Sequence, residues 1–387
     1  MTDVSLNDVI DRIKGNEDRN NTSLLYYVGG EHYVSNSIEL RNGGLISEGV
    51  LGFKFHFPFR SGDVLFMARN PHLQKAARVD FDGICSDASY ILRSKNENIL
   101  LQDFLPLIVQ SDHFWSFFRT NKTGSVNPLL NWSTLSTYKF NMPSLVKQRQ
   151  YADLVWTIQY DINKLEEQLN LLDRVVKSQF IKMFGDLSIN DKSWKSDKLS
   201  NVLVIERGGS PRPIDDYITN EETGLNWIKI GDANDNSIYI DSVKEKIKPE
   251  GLKKTRRVYP DDLILSNSMS FGKPYILKIS GCIHDGWLVL HDENDIFDKI
   301  FLCYALGNSS TTKKFKSMAR GAVVNNLNKK IVGSLEIILP PRNLQNQFAD
   351  FVKQVDKSKF HCCNALITTK HIRQQLTVLA LRDGNGR

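Results

Sequence analysis

Residues 145–184 read LVKQRQYADLVWTIQYDINKLEEQLNLLDRVVKSQFIKMF and contain neither glycine nor proline. Within them Tyr151, Val155, Ile158, Ile162, Leu165, Leu169, Leu172 and Val176 recur in alternating steps of four and three, the heptad pattern of a helix with one apolar seam. At about 1.5 Å per residue this predicts a rod on the order of 55–60 Å long. A lone helix cannot hide such a seam. A partner is expected at the end of the chain, from Asn343 to about Leu381, where Phe348, Phe351 or Val352, Val355, Cys362, Leu366, Ile372, Leu376 and Leu379 make a second seam. It is the poorer one, because Lys359 and Arg373 stand where the first helix has Ile162 and Val176.

Upstream, residues 1–142 read as a mixed α/β globule. Leu6–Ile13 is a short helix candidate, 14–22 a polar break, and the runs punctuated by Gly29-Gly30 and Gly43-Gly44 are strand-like. Buried strands are expected at 63–67 and 88–92, and a helix over 100–118 despite Pro106. Pro143 blocks an earlier start of the long helix, and Ser144 is placed to cap it.

Residues 186–342 repeat this plan. Gly124 stands 19 residues before Pro143 and Gly321 stands 19 before Pro340, while Gln150-Tyr-Ala-Asp153 matches Gln347-Phe-Ala-Asp350 at an offset of 197. Gly62–Phe66 faces Asp261–Leu265, Gly83 with Asp87 faces Gly281 with Asp285, and Leu6–Val9 faces Leu199–Val202. Matches that stay in order imply an α+β chain of two mixed α/β globules in pseudo-twofold repeat, 1–142 and 186–342. They are separated by long helices, 143–185 and 343–387, that pair as an antiparallel coiled coil, the last five residues of the chain forming a frayed tail. A spacer of about 50 Å corresponds to roughly 15 base pairs at about 3.4 Å per step, suiting two short DNA segments with an unread gap between them.

The 387 residues exceed one ordinary domain, and the net charge of +6 with pI near 8.9 permits a polyanionic partner. Five cysteines without paired CxxC spacing argue against a disulfide framework or zinc site. No signal-like start and no apolar run near the roughly 18 residues of a membrane span is present, so a cytoplasmic protein without membrane contact is expected. No phosphate loop, Rossmann fingerprint or amino-methyltransferase tetrapeptide occurs. Pro260-Asp261 lacks the rest of a nuclease motif, and Cys282, His284 and His291 make a weak metal set, so no catalytic residue and no metal site are assigned.

Basic residues cluster in the second globule. Lys253, Lys254, Arg256 and Arg257 close one run, and Arg320 with Asn325 and Asn326 lies in another that offers base-reading types. Arg207-Gly-Gly-Ser-Pro-Arg212 and Asn267-Ser-Met-Ser-Phe-Gly-Lys273 are small polar loops; Gly209 and Ser210, and Ser268, Ser270 and Lys273, are candidates to approach phosphate. In the first globule the sparser candidates are Arg60, Arg69, Lys75 and Arg78. For any one cluster, a solvated basic face or a plain turn is an equally good reading.

The layout as a whole, two divergent globules each closing in a proline-led long helix, resembles the specificity subunit of type I restriction-modification systems. Leu339-Pro-Pro-Arg-Asn-Leu-Gln345 running into Phe348 is similar to that family's P-P-L-x-E-Q-x-x-I signature, departing from it with Gln345 where glutamate is usual and Asn346 where glutamine is. Met142-Pro143 with Gln148 is a weaker echo, and Trp194–Val202 followed by Arg207–Pro211 resembles the start of a target-recognition domain. The resemblance implies a non-catalytic chain reading a split double-stranded DNA sequence and docking two modification subunits and restriction subunits. S-adenosylmethionine, ATP and Mg2+ would then sit on those partners. Two other readings stay open: a DNA-targeting part of a nuclease or methyltransferase, and a coiled-coil scaffold.

Overall fold

The structure, a computed structural model, describes residues 3–121, 128–234, 237–267, 272–319 and 327–382. The chain divides into two units, Met1–Glu167 with Cys363–Arg387, and Gln168–Cys362. Each long helix, Leu145–Phe184 and Arg342–Arg382, gives one half to each unit.

In the first unit Asp3–Ser5 pairs antiparallel with Lys139–Asn141. A single helical turn, Leu6–Val9, follows, with the Asp8 carboxylate accepting from the Ser5 N–H at 2.9 Å and Oγ at 2.7 Å. The expected helix over 6–13 stops there: Ile10–Ile13 is a strand against Ser89–Ser94, where β-branched side chains pack well. That sheet runs in the order Ile10–Ile13, Ser89–Ser94, Val64–Met67, Ala76–Val79, Glu39–Leu40, with only the last pair parallel. The second sheet runs Gly44–Leu45, Tyr26–Val28, Gly83–Ser86, Phe55–Phe59, and its middle pair is parallel.

The expected helix over 100–118 is broken into three. A 3-10 turn, Gln102–Phe104, leads into Leu105–Val109, whose first turn tolerates Pro106, and the chain restarts at Asp112–Asn121. Buried Ser111 makes the break, its Oγ accepting the Phe114 N–H at 3.2 Å. Phe114, Trp115 and Phe118 from the last piece surround Phe66 on the sheet, the Trp115 ring stacked at 5.5 Å.

The second unit repeats the first strand for strand. Ser196–Lys198 pairs with Glu336–Ile338, and the large sheet runs Val204–Arg207, Trp287–His291, Leu263–Ser266, Pro274–Leu277, Tyr239–Ile240, again with only the last pair parallel. The smaller sheet keeps the order Glu245–Ile247, Leu225–Ile228, Gly281–Ile283, Arg256–Val258 and adds Ile218–Thr219 at one edge. Gly83 and Gly281 match for a steric reason. A Cβ on either would meet a carbonyl oxygen of the parallel neighbour strand, Tyr26 O at 2.6 Å or Asn226 O at 2.7 Å.

Both helix starts are held alike. Gln148 and Gln345 are buried. Gln148 Oε1 accepts the Leu101 N–H, and its Nε2 donates to Ile99 O and Pro143 O, all at 2.9 Å. Gln345 Oε1 accepts the Asp298 N–H at 2.8 Å, and its Nε2 donates to Ile296 O at 3.2 Å and Pro340 O at 2.8 Å. A carboxylate could not donate to those carbonyls, so the glutamine is no departure: counted from Pro340, Gln345 occupies the glutamine position of the signature. Ser144 caps the first helix through its carbonyl, 2.9 Å from Gln148 N, and its Oγ, 3.5 Å from Lys147 N.

Within each unit the helix halves pair antiparallel. In the first unit Arg373 donates to Gln159, and Lys370 meets Glu166 at 2.9 Å; in the second Lys359 bonds Asp173, and Cys362 faces Gln168. Val155, Ile162 and Val355 are buried, whereas Ile158, Leu165, Leu169, Leu172, Leu366 and Leu376 are half-buried. Ile372 and Leu379, expected in the seam, are exposed at 43% and 44%; Thr377 and Ala380 are buried instead. The inward Arg373 shifts the face, since its guanidinium takes Gln159 and Asn36 O as partners.

Candidate nucleic-acid interface

In the second unit the loop after strand Val204–Arg207 is built against its own backbone. A Cβ on Gly208 would meet His284 O at 2.3 Å, and one on Gly209 would meet Lys254 O at 2.5 Å. The two glycines allow this internal close approach. Ser210 Oγ donates to Asp285 Oδ1 at 2.7 Å, and Arg207 Nε to Asp285 O at 3.1 Å. Burial works to raise the Asp285 pKa, but the Ser210 hydrogen bond and the charges of His284, Arg207 and Arg212 outweigh it, holding the carboxyl below its ordinary value.

His284 Nδ1 accepts the Gly286 N–H at 2.9 Å, which places the neutral ring's proton on Nε2, 3.0 Å from Asp285 Oδ1. Burial depresses the His284 pKa, opposed by Asp285 and aided by Arg212, Lys229 and Arg207. Together with Ser210, Arg212, Trp227 and the Lys229–Glu245 ion pair, His284 lines a 310 Å³ cleft. The Ser210 hydroxyl is thus bonded to the aspartate and not to the histidine.

This edge brings most of the second globule's candidates together. Arg207 and Arg212 are exposed on the loop. Exposed Lys253 adjoins Lys254, whose Nζ is 2.9 Å from Tyr217 Oη. Arg256 reaches Glu206 at 3.4 Å, and Arg257 lies over the Tyr259 ring at 5.8 Å, its buried Nε without a hydrogen-bond partner among the described residues. Lys273 is placed over the Tyr275 ring at 5.5 Å. Ser268, Ser270, Arg320, Asn325 and Asn326 lie outside the described residues.

The first globule's candidates do not converge. Arg60 and Arg69 are exposed, but Lys75 Nζ donates inward to Gly30 O at 2.8 Å. Arg78 packs over the Trp156 ring at 5.0 Å, with Nε 3.4 Å from Asp103 Oδ1 and too poorly aligned for a hydrogen bond. Both are spent on internal contacts. Among the described residues no group of three or more His, Cys, Asp or Glu could hold a metal ion; Cys282 packs with Trp227 and Ile247, and Asp261 sits in a left-handed turn at φ 70°. Among those residues, too, no helix is long and apolar enough to cross a membrane.

The family model described as the type I restriction modification DNA specificity domain matches residues 1–172 and 191–369. The chain belongs to that family, whose role is DNA sequence recognition in type I restriction-modification systems. Two similar proteins come from Methanocaldococcus jannaschii. The putative type I restriction enzyme MjaX specificity subunit is 24% identical over 341 residues, covering 80% of this chain and 78% of that one; the type I restriction enzyme MjaVIII specificity subunit is 23% identical over 302 residues, covering 71% and 68%. Two solved chains share the fold. The type I restriction-modification S subunit from M. genitalium has a TM-score of 0.56 at 14% identity over 98% of this chain and 96% of that one. A chain solved in work on complex assembly and conformational transition of the type I R-M system has 0.52 at 19% identity over 98% and 97%.

Proposed function

We propose that this specificity chain reads a split double-stranded DNA sequence, residues 1–142 contacting one half and 186–342 the other, with the paired helices fixing the unread gap. The observation that carries this reading is the strand-for-strand duplication. Two copies of one recognition architecture in a single chain supply two contact surfaces, and a long helix links one copy to the next. The convergent edge Arg207–Arg212 with Lys253–Arg257 supplies the positive charge that a phosphate backbone attracts.

In this account the chain itself makes and breaks no bond. It docks two modification subunits and, in the restricting assembly, restriction subunits; S-adenosylmethionine, ATP and Mg2+ belong to those partners, and the assembly works in the cytoplasm. Exposed apolar side chains on the outer helix faces, Leu154 and Ile367 in the first unit and Val175 and Phe360 in the second, offer surface for such partners. Domain exchange tests the assignment. Replacing residues 1–142 by the corresponding globule of another specificity chain changes one half-site and leaves the other intact; a change in both halves, or in neither, contradicts it.

A further inference from the structure

The repeat carries more than the two sheets. In the first unit the chain between strands Gly44–Leu45 and Phe55–Phe59 ends in a turn closed by Phe55 N donating to Gly52 O at 3.1 Å. Phe53 and Lys54 stand at its apex. In the second unit the equivalent connection, between Glu245–Ile247 and Arg256–Val258, ends in a turn closed by Thr255 N donating to Leu252 O at 3.3 Å, with Lys253 and Lys254 at the apex. The register fixes the match: Phe57 pairs with Cys85 as Arg256 pairs with Ile283, and Phe55 pairs with Ser86, one residue on. Lys54 is thus the counterpart of Lys254, and Phe53 of Lys253.

The surroundings agree. In the second unit Lys254 O touches the Arg207–Arg212 loop at Gly209. In the first unit the corresponding polar segment after Ile13 lies on the apex strand, with Glu17 N donating to His56 O at 2.8 Å and Arg19 Nε to Leu51 O at 3.1 Å. Lys54 is 3.7 Å from Asp87, the counterpart of Asp285. One residue type differs in kind. Where the second apex presents a lysine, the first presents Phe53 at 76% exposure, and Val50 on the same connection is exposed at 106%. The base of this turn is packed, the Phe55 ring set edge-on to Tyr27 at 5.6 Å, so the two exposed side chains are held out from an anchored support.

We propose that Phe53, backed by Val50, is an apolar wedge that enters the DNA half-site read by the first globule and unstacks one base step, while its neighbour Lys54 contacts the flanking phosphate. The equivalent Lys253-Lys254 apex engages the other half-site through phosphates alone. This rests on the split-site reading. Charge complementarity selects DNA as the occupant, because the same position in the repeat is lysine-rich and Lys54 is kept beside the phenylalanine. Apolar side chains inserted between base steps are an established way of gripping a duplex.

The test uses the full chain assembled with its modification subunits and a duplex library selected by the wild-type complex, with 2-aminopurine then placed at successive positions of each half-site. Wild type raises 2-aminopurine fluorescence at one step of the first half-site. Phe53→Ser abolishes that rise and weakens binding about tenfold or more, as loss of one base-stacking contact would, without changing the slope of log K against log salt concentration. Phe53→Leu restores most of both. Lys253→Ala with Lys254→Ala instead lowers the salt slope by about two and leaves the fluorescence rise in place. Unchanged affinity and fluorescence in Phe53→Ser, with the split site still selected, overturns the wedge alone. Loss of the modification subunits from Phe53→Ser overturns it in favour of a protein-docking role. Failure of the wild-type complex to select any split site removes the parent reading and the wedge with it.

Discussion

Gln148 and Gln345, 197 residues apart in the chain, make the same three hydrogen bonds, one accepted from a backbone N–H and two donated to carbonyls, one of which belongs to the proline five residues upstream. Each glutamine ties the first turn of a long helix to the globule that precedes it. Because Nε2 must donate twice, the position demands an amide. Gln345→Glu puts a carboxylate against Ile296 O and Pro340 O and is expected to cost about 2–4 kcal/mol. Urea unfolding followed by tryptophan fluorescence measures it; an unchanged midpoint would show that the network does not hold the helix start.

The matched glycines give a second expectation. Gly281→Ala drives a methyl to 2.7 Å from Asn226 O, and Gly83→Ala to 2.6 Å from Tyr26 O. Backbone on a parallel neighbour strand cannot swing aside as a flexible side chain can. Each substitution should destabilise by about 1–3 kcal/mol, and thermal melts of the two variants should shift alike.

Lys359 replaces, in the second unit, the apolar seam position that Ile162 holds in the first. Its ammonium bonds Asp173 and lies 4.0 Å from Asp356. In an Asp356→Asn background, substituting the pair together, Lys359→Ile with Asp173→Leu, is expected to be neutral or stabilising, whereas Asp173→Leu alone leaves a half-buried cation uncompensated and lowers stability. A double-mutant cycle in thermal melts separates the two, and equal losses in the single and double variants would contradict the assignment.

Asp356 carries the pH dependence of this seam. Burial raises its pKa, with Lys359 opposing and Asp173 adding to the rise. A carboxyl whose pKa is raised by folding binds its proton more tightly in the native state, so its charge weakens the fold at neutral pH and protonation relieves that cost as pH falls through the native value. Asp356→Asn should therefore raise the melting temperature at pH 7, with the gain shrinking as pH falls and gone below the ordinary carboxylate range. A gain that grows on acidification would contradict this.

The duplication was legible in sequence because its anchors are residues that no substitute serves: Gly83 and Gly281 under neighbouring carbonyls, and the helix starts after Pro143 and Pro340. The seam was legible from Tyr151 to Val176 for the same reason, a period that packing enforces. Its partner was legible from Phe348 to Leu366 but not at Ile372 and Leu379, because Arg373 points inward and its hydrogen bonds, invisible in an apolar count, rotate those two outward. The interface was half legible. Basic residues in the second globule announce themselves by charge and do converge, but in the first globule charge alone selects Lys75 and Arg78, whose side chains meet Gly30 O and the Trp156 ring. Phe53 carries no such signal. Only the register of its strand against Gly83–Ser86 aligns it with Lys253, and Ser111, whose hydroxyl ends one helix and starts another, was likewise hidden within an apolar run.

The proposed role of this chain is to give a modification complex its split target. Long-read methylome sequencing of cells expressing the chain with a neighbouring modification subunit, against cells lacking the chain, tests it most directly. Chain-dependent methyl-adenine is expected at one bipartite motif, two short specified segments around a gap of fixed length. An assembled complex that methylates nothing in a chain-dependent way, or methylates one uninterrupted motif, would contradict it.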